Sequence, residues 1–142
     1  MGADLYLNSV RYGVEAKSSG RKTRKAKPAR AQVEDEVYFR DSYNATSVLW
    51  TLGLSWWRDV LPLLDANSEL SGAALRHFRQ LVALATQQLP TAEDLSATGL
   101  QVEHTGFRTL DGLHRYHIEK RKRLLRFLDF AILHDCGITC SL

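Results

Sequence analysis

The sequence predicts a mostly helical α+β fold, in which about five helical segments pack with one or two short strands at the N-terminal end. Three observations predict this class. Apolar residues recur at helical spacing through the second half, residues 4–10 alternate as a strand does, and a hydrophobic content of 44% over 142 residues suits one core. We therefore expect residues 1–142 to form a single domain.

The first predicted element is a short strand at residues 4–10, which read DLYLNSV. Leu5 and Leu7 fall on one side of such a strand, and Tyr6 and Asn8 fall on the other. This alternation predicts a strand with one buried face.

Residues 13–30 have the composition of a mobile basic loop inserted into the domain. Residues 17–30 hold seven cations, no acid and almost nothing apolar. Such a segment cannot bury enough surface to offset the entropy lost on ordering. Its cations are candidates for a site that binds a partner or nucleic acid: Lys17, Arg21, Lys22, Arg24, Lys25, Lys27 and Arg30.

Two short helices are predicted within residues 38–64. Asp41 or Ser42 can cap the first, and Gly53 suits the left-handed position at its end. Ser55 can cap the second, which Pro62 shortens or bends.

All three tryptophans fall around the junction of these helices, at Trp50, Trp56 and Trp57. Large rings at such a junction can wedge two helices together. We therefore expect the three side chains to be mainly structural.

The second half of the chain predicts two longer helices. The first begins at Ser71, places Leu75, Phe78, Val82, Ala85 and Leu89 on one stripe, and stops at Pro90. The second runs from about Thr109 to Leu133. Between them, a short turn capped by Thr91 leads into residues 100–109, which predict a loop or a short strand.

The net charge of +3 is unevenly distributed along the chain. Residues 1–30 carry +6, residues 31–114 carry −6 and residues 115–142 carry +3. Six cations within residues 115–126 cannot all point inward on one helix, so they predict a basic collar. The candidate binding residues of this collar are Arg115, Lys120, Arg121, Lys122 and Arg123.

A polar cluster near residues 40–44 is the best candidate for a pocket. It comprises Arg40, Asp41, Tyr43 and Asn44, which Asp4 and Tyr6 of the strand can join. A capping Asp, a surface Arg and a Tyr at the rim of the core give the same pattern, and caps are far commoner than active sites. We therefore predict no catalytic residue.

Recognisable motifs for nucleotide, metal or serine-hydrolase chemistry are absent from the sequence. His114 and His117 lack a third ligand at readable spacing, and the spacing of His134, Cys136 and Cys140 fits no common zinc pattern. The sequence predicts neither a metal nor a cofactor. It also predicts a cytoplasmic protein without a membrane span.

Three stretches carry a resemblance: MGADLYL at the start, YFRDSYNATSVLWTLGLSWWRDV in the middle and CSL at the end. Together they resemble a group of small uncharacterised proteins of bacteriophage and prophage genomes. The group has no established activity, so the resemblance implies no catalytic residue. It implies a context, because accessory phage proteins are often small binders that redirect or block a host machine, including the anti-CRISPR proteins.

We therefore expect a small non-catalytic binding protein that acts in the host cytosol on a host protein or nucleoprotein complex. The alternative is direct binding of nucleic acid through residues 17–30 and 115–126, and a weaker one is a small enzyme with a polar pocket near Arg40 and Asn44. The acidic middle of the chain argues against a protein that binds nucleic acid with its whole surface.

Overall fold

The computed structural model describes residues 2–8 and 37–142. Its helices are α1 (Val48–Thr51), α2 (Gly72–Leu84), α3 (Ala92–Ala97) and α4 (Leu110–Leu133). A π-helical turn at Trp56–Val60 continues into a 3-10 turn at Leu61–Leu63, and another 3-10 turn spans Val102–Thr105. The strands are β1 (Ala3–Leu7), β2 (Tyr38–Asp41), β3 (Glu69–Leu70) and β4 (Ile138–Ser141). The predicted mostly helical α+β class is confirmed. The predicted insertion at 13–30 lies outside the described residues.

The four strands form one antiparallel sheet in the order β2-β1-β4-β3. Leu5 of β1 lies opposite Phe39 on one side and Cys140 on the other, and all three side chains are buried. The sheet has more strands than predicted, because β3 and β4 join the two strands at the N-terminal end. Ile138 and Cys140 alternate inward and hold β4 in the middle of the sheet.

α2 and α4 pack against each other and supply much of the core that covers the inner face of the sheet. α4 buries one stripe of residues at helical spacing, which includes Leu113, His117, Leu124, Phe127, Leu128 and Ala131. α2 buries Leu75, Phe78 and Val82. Both helices therefore bury one apolar face against the core, as the spacing of their apolar residues indicates.

α2 ends at Leu84, one turn before the predicted limit near Leu89. At this end, the guanidinium of Arg121 on α4 donates hydrogen bonds to the carbonyls of Val82, Ala83 and Ala85, at 3.0, 3.3 and 2.6 Å. These bonds satisfy acceptors that a helix end leaves open. The chain then turns away, and the Gln88 N–H donates to the Thr51 carbonyl at 2.7 Å.

Residues 100–107 pack on the start of α4 instead of forming a strand. A small second cluster of buried Ala45, Leu95 and Leu113 anchors them, with Phe107 and Tyr116 packed against it. Gly106 ends the 3-10 turn in a left-handed conformation, with φ of 86°. The chain then places the Phe107 ring 4.9 Å from the Tyr116 ring.

The tryptophans divide into one core residue and two surface residues. Trp56 is 2% exposed, whereas Trp50 is 36% and Trp57 is 50% exposed. The prediction that all three are mainly structural fits Trp56 but not the other two. In the described part of the chain, α1 buries Val48, Leu49 and Thr51 and the π-helical turn buries Trp56 and Val60, so Trp50 and Trp57 lie on the outward sides of these short elements. Trp57 instead packs beside Tyr43, with ring centroids 5.3 Å apart.

Candidate functional site

Asp41, at the end of β2, is the buried centre of a polar network. Its carboxylate accepts hydrogen bonds from the Ser47 hydroxyl at 2.6 Å, the Trp56 indole N–H at 2.8 Å and the Val48 N–H at 3.0 Å. Ser47, and not Asp41 or Ser42, is the N-cap of α1. Asp41 nevertheless supports the same helix end from the neighbouring strand, where a negative charge is favourable.

Lys120 of α4 completes the network from the opposite side. Its Nζ lies 3.3 Å from Asp41 Oδ1 and donates to the Tyr116 hydroxyl at 2.7 Å. The Lys120 side chain is 8% exposed, and its Nζ lies 5.6 Å from the centre of the Phe39 ring. The predicted basic collar is therefore wrong at Lys120 and Arg121, which turn inward because Asp41 and the end of α2 supply their partners.

A groove of about 620 Å³ opens beside the Asp41–Lys120 pair, within the usual size range of ligand sites. We call it the β2–α4 groove. Strand β2 and the loop after it supply one wall, and the 105–107 turn and α4 supply the other. Its lining residues are Tyr38, Arg40, Asp41, Ser42, Thr46, Thr105, Gly106, Phe107, Tyr116, Lys120 and Arg123.

The groove includes the end of β2, where the strand passes into the loop that supplies Ser42 and Thr46. Successive side chains of a strand point to opposite faces. Arg40 is exposed and Asp41 is buried, yet both line the groove. A groove at the end of the strand meets both residues, because Asp41 is the last residue of β2.

Asp4 of β1 orders the outward side chains of β2. Its carboxylate accepts a hydrogen bond from the Tyr38 hydroxyl at 2.5 Å and lies 3.6 Å from the Arg40 Nε. The hydrogen bond to Asp4 raises the pKa of the Tyr38 hydroxyl above its ordinary value, and slight burial adds to the effect. Tyr38 therefore remains protonated at neutral pH.

The residues of the predicted polar pocket are only partly brought together. Arg40 and Asp41 line the groove, whereas Tyr6 is exposed on β1 beside Tyr38. The Tyr43 hydroxyl donates to the Gly2 carbonyl at 3.1 Å. The Asn44 side chain accepts from the Thr46 N–H at 2.9 Å and so holds the loop that follows β2.

The other predicted basic residues of α4 have different surroundings. Arg123 lines the groove, and Arg115 is exposed. Lys122 is exposed and pairs with Glu119 at 3.2 Å. The candidates between Lys17 and Arg30 lie outside the described residues.

Sequence reasoning missed the aromatic and hydroxyl side of the groove, formed by Tyr38, Phe107, Tyr116, Ser42 and Thr46. Tyr38 and Tyr116 are distant in sequence and meet only through the fold. The one local signal is Gly106 directly before Phe107, since a glycine in a polar loop indicates a sharp turn that can present the following ring.

His117 is fully buried next to this network, and neither ring nitrogen has a hydrogen-bond partner within the described part of the chain. Burial lowers the pKa of His117 to about 4, against an opposing effect of the Asp41 charge. The Ala45 backbone also favours the charged form slightly, although it does not meet the geometry of a hydrogen bond. The ring is therefore neutral at pH 7.

Acid should destabilise the protein through His117. The unfolded chain binds a proton at His117 below about pH 6.5, but the folded chain resists it until about pH 4. The contribution of His117 to the free energy of unfolding is therefore fully present above about pH 6.5. It decreases as the pH falls, by about 3 kcal/mol at pH 4. Urea unfolding across this range should show a shallower pH dependence for His117→Leu than for the parent protein.

The exposed His77 provides the control for that measurement. His77→Gln should keep the pH dependence of the parent protein. Equal slopes for His117→Leu and the parent would mean that His117 accepts a proton readily in the folded state.

Within residues 2–8 and 37–142, every helix is too short or too polar to cross a lipid bilayer. Over the same ranges, no three His, Cys, Asp or Glu side chains converge on a possible metal position. Cys140 is buried in β4, and burial raises the pKa of its thiol. Comparisons with known protein families, curated proteins and solved structures gave no match to this chain.

Proposed function

We propose that the protein is a small non-catalytic binding protein that holds an acidic group of a protein or nucleoprotein partner in the β2–α4 groove. One observation carries this proposal. Arg40 from β2 and Lys120 and Arg123 from α4 line the same groove, and the only carboxylate among the groove residues is Asp41. Lys120 pairs with Asp41, and Arg40 forms a longer pair with Asp4 at the rim.

Arg40 determines what the groove attracts. Lys120 pairs with the buried Asp41 at 3.3 Å, whereas the Arg40 side chain is exposed. A guanidinium binds a carboxylate or phosphate with two parallel hydrogen bonds, which favours an acidic group over a neutral one. The Arg40–Asp4 ion pair is exposed on the Arg40 side and is 3.6 Å long, so a stronger acceptor can displace it.

Tyr116 adds a donor to the same wall. Its hydroxyl oxygen accepts the hydrogen bond from Lys120, so its own O–H remains to donate. The ring packs 4.9 Å from Phe107 and gives the groove an apolar side. A bound segment therefore meets positive charge, one oriented hydroxyl and two aromatic rings.

The same geometry argues against the enzyme hypothesis. Asp41 accepts bonds from Ser47, Val48 and Trp56 and pairs with Lys120. A carboxylate has about four lone-pair sites, so these partners occupy it. Asp41 therefore serves to hold the fold and does not serve as a general base.

The alternative, direct binding of nucleic acid, loses support because fewer cations of α4 face the solvent than the sequence predicts. Two of the five cations proposed on α4, Lys120 and Arg121, face inward. The resemblance to phage proteins favours a bacterial host protein or nucleoprotein complex, of which a CRISPR complex is one example.

Affinity capture from a bacterial lysate tests the proposal. Capture by the parent protein should survive nuclease treatment. The Arg40→Gln/Arg123→Gln variant should capture about tenfold less, because a hydrogen bond to a charged group contributes about 1.5 to 3 kcal/mol. Arg115→Gln/Arg126→Gln, which changes two exposed arginines outside the groove, should capture as much as the parent.

Two outcomes would contradict the proposal. Loss of capture after nuclease treatment would favour direct binding of nucleic acid. Equal capture by both double variants would remove the groove from recognition. Thermal melting of both variants verifies that the differences do not arise from unfolding.

A further inference from the structure

We infer that a second cavity, which we call the α1–α3 cleft, binds an arginine side chain of a protein partner. The cleft shares no lining residue with the β2–α4 groove. This inference therefore goes beyond the proposed function, and either site can exist without the other.

The cleft has the size and the fixed walls of a ligand site. Its volume is about 530 Å³, within the usual size range of such sites. Residues 50–53 at the end of α1 supply one wall, and residues within 86–94, which lead into α3, supply the other. The Gln88 N–H donates to the Thr51 carbonyl at 2.7 Å, and the Gln87 side chain donates to the Thr51 hydroxyl at 3.1 Å. These hydrogen bonds hold the two walls together before a ligand binds.

An aromatic ring and a carboxylate line the same cleft. Trp50 is 36% exposed, and within residues 2–8 and 37–142 its ring makes no aromatic contact and its indole N–H has no hydrogen-bond partner. Asp94 is fixed by the cap of α3, because its carboxylate accepts the Thr91 N–H at 2.8 Å. That bond uses one of about four lone-pair sites, so the others can accept from a ligand. A guanidinium suits both groups, since it stacks on an indole ring and pairs with a carboxylate.

The charge of the walls selects a cation. Residues 42–57 carry no charged side chain, and residues 80–107 carry three acids and neither Lys nor Arg. Among the described residues that line the cleft, Asp94 alone is charged. The cation at its rim, Arg58, pairs with Asp59 at 2.8 Å. An arginine side chain therefore meets opposite charge, whereas a phosphate or an acidic side chain would meet like charge.

The test titrates the full chain with the end-blocked peptide Gly-Arg-Gly and follows the Trp50 indole N–H signal by NMR. We expect this signal to shift. The same peptide with citrulline in place of arginine, which is neutral and nearly identical in shape, should bind about tenfold more weakly. Asp94→Asn should weaken binding of the arginine peptide about tenfold, because it removes the charge but still accepts the capping bond from Thr91. Trp50→Leu, followed through the amide signals of residues 86–94, should weaken it about threefold.

The matched control is Glu93→Gln, which removes the same charge from an exposed neighbour outside the cleft. This variant should bind the arginine peptide as the parent protein does, and thermal melting verifies that every variant is folded.

Four outcomes would overturn the inference. They are the absence of any shift at millimolar peptide, equal affinity for the arginine and citrulline peptides, equal weakening by Asp94→Asn and Glu93→Gln, and shifts confined to the β2–α4 groove. A Trp50 signal that moves with protein concentration alone would assign the cleft to a second copy instead. The proposed function is tested separately, because lysate capture with Arg40→Gln/Arg123→Gln changes only the other cavity.

Discussion

Replacing Asp41 with alanine should lower the free energy of unfolding by about 3 to 5 kcal/mol, because it leaves the buried Lys120 without its counter-charge. The substitution also removes the acceptor of the Trp56 indole N–H and of the Ser47 hydroxyl. Urea unfolding at neutral pH measures the loss. Lys120→Met added to Asp41→Ala should recover part of it, since the unpaired charge is then gone.

The matched control is the exposed pair between Asp129 of α4 and Arg79 of α2, which is 2.8 Å long. Asp129→Ala should cost about 1 kcal/mol or less, because solvent screens the pair. Similar losses for Asp41→Ala and Asp129→Ala would mean that burial does not set the strength of the Asp41 network.

Trp56→Ala should be about as damaging, with a loss of about 3 to 5 kcal/mol. The ring is 2% exposed, packs 5.8 Å from the Phe78 ring and donates to Asp41. Trp57→Ala should cost about 1 kcal/mol, since half of that side chain is in solvent and its main ring contact is Tyr43. Denaturant midpoints of the two variants make the comparison directly.

Equal destabilisation by the two substitutions would contradict this assignment of core and surface. Trp56→Phe is a useful third variant, because it retains most of the apolar volume and removes the indole N–H. The decrease in its free energy of unfolding should lie between the decreases for Trp56→Ala and Trp57→Ala.

Local signals explain which helices the sequence predicts correctly. The stripe of α4 repeats over 24 residues, so its burial does not depend on any single position. Ser55 caps its helical turn as predicted, since its side chain accepts hydrogen bonds from the N–H groups of Trp57 and Arg58. Gly53 takes the predicted left-handed conformation, with φ of 69°. Caps and glycine turns act within a few residues, so a sequence shows them.

The sheet and the site depend on contacts between distant residues. β4 has only four residues, too few to distinguish its alternation from a loop. Lys120 lies in a run of cations and has no local sign of burial, since its partner Asp41 is 79 positions earlier. The polar residues near 40–44 were only a candidate pocket, and the sequence does not show that β2 lies beside α4.

The pairing of β1 with β4 has a consequence for synthesis of the protein on the ribosome. Thr139 donates a hydrogen bond to Asn8, and the two residues are 131 positions apart. The chain emerges at about 5 to 20 residues per second. β1 therefore remains without its β4 neighbour until the residues between the two strands have been synthesised. During this interval Leu5 and Leu7 of β1 lack the neighbours that Cys140 and Ile138 of β4 later supply. The β2–α4 groove likewise needs α4, so we expect a stalled or truncated nascent chain to bind no partner.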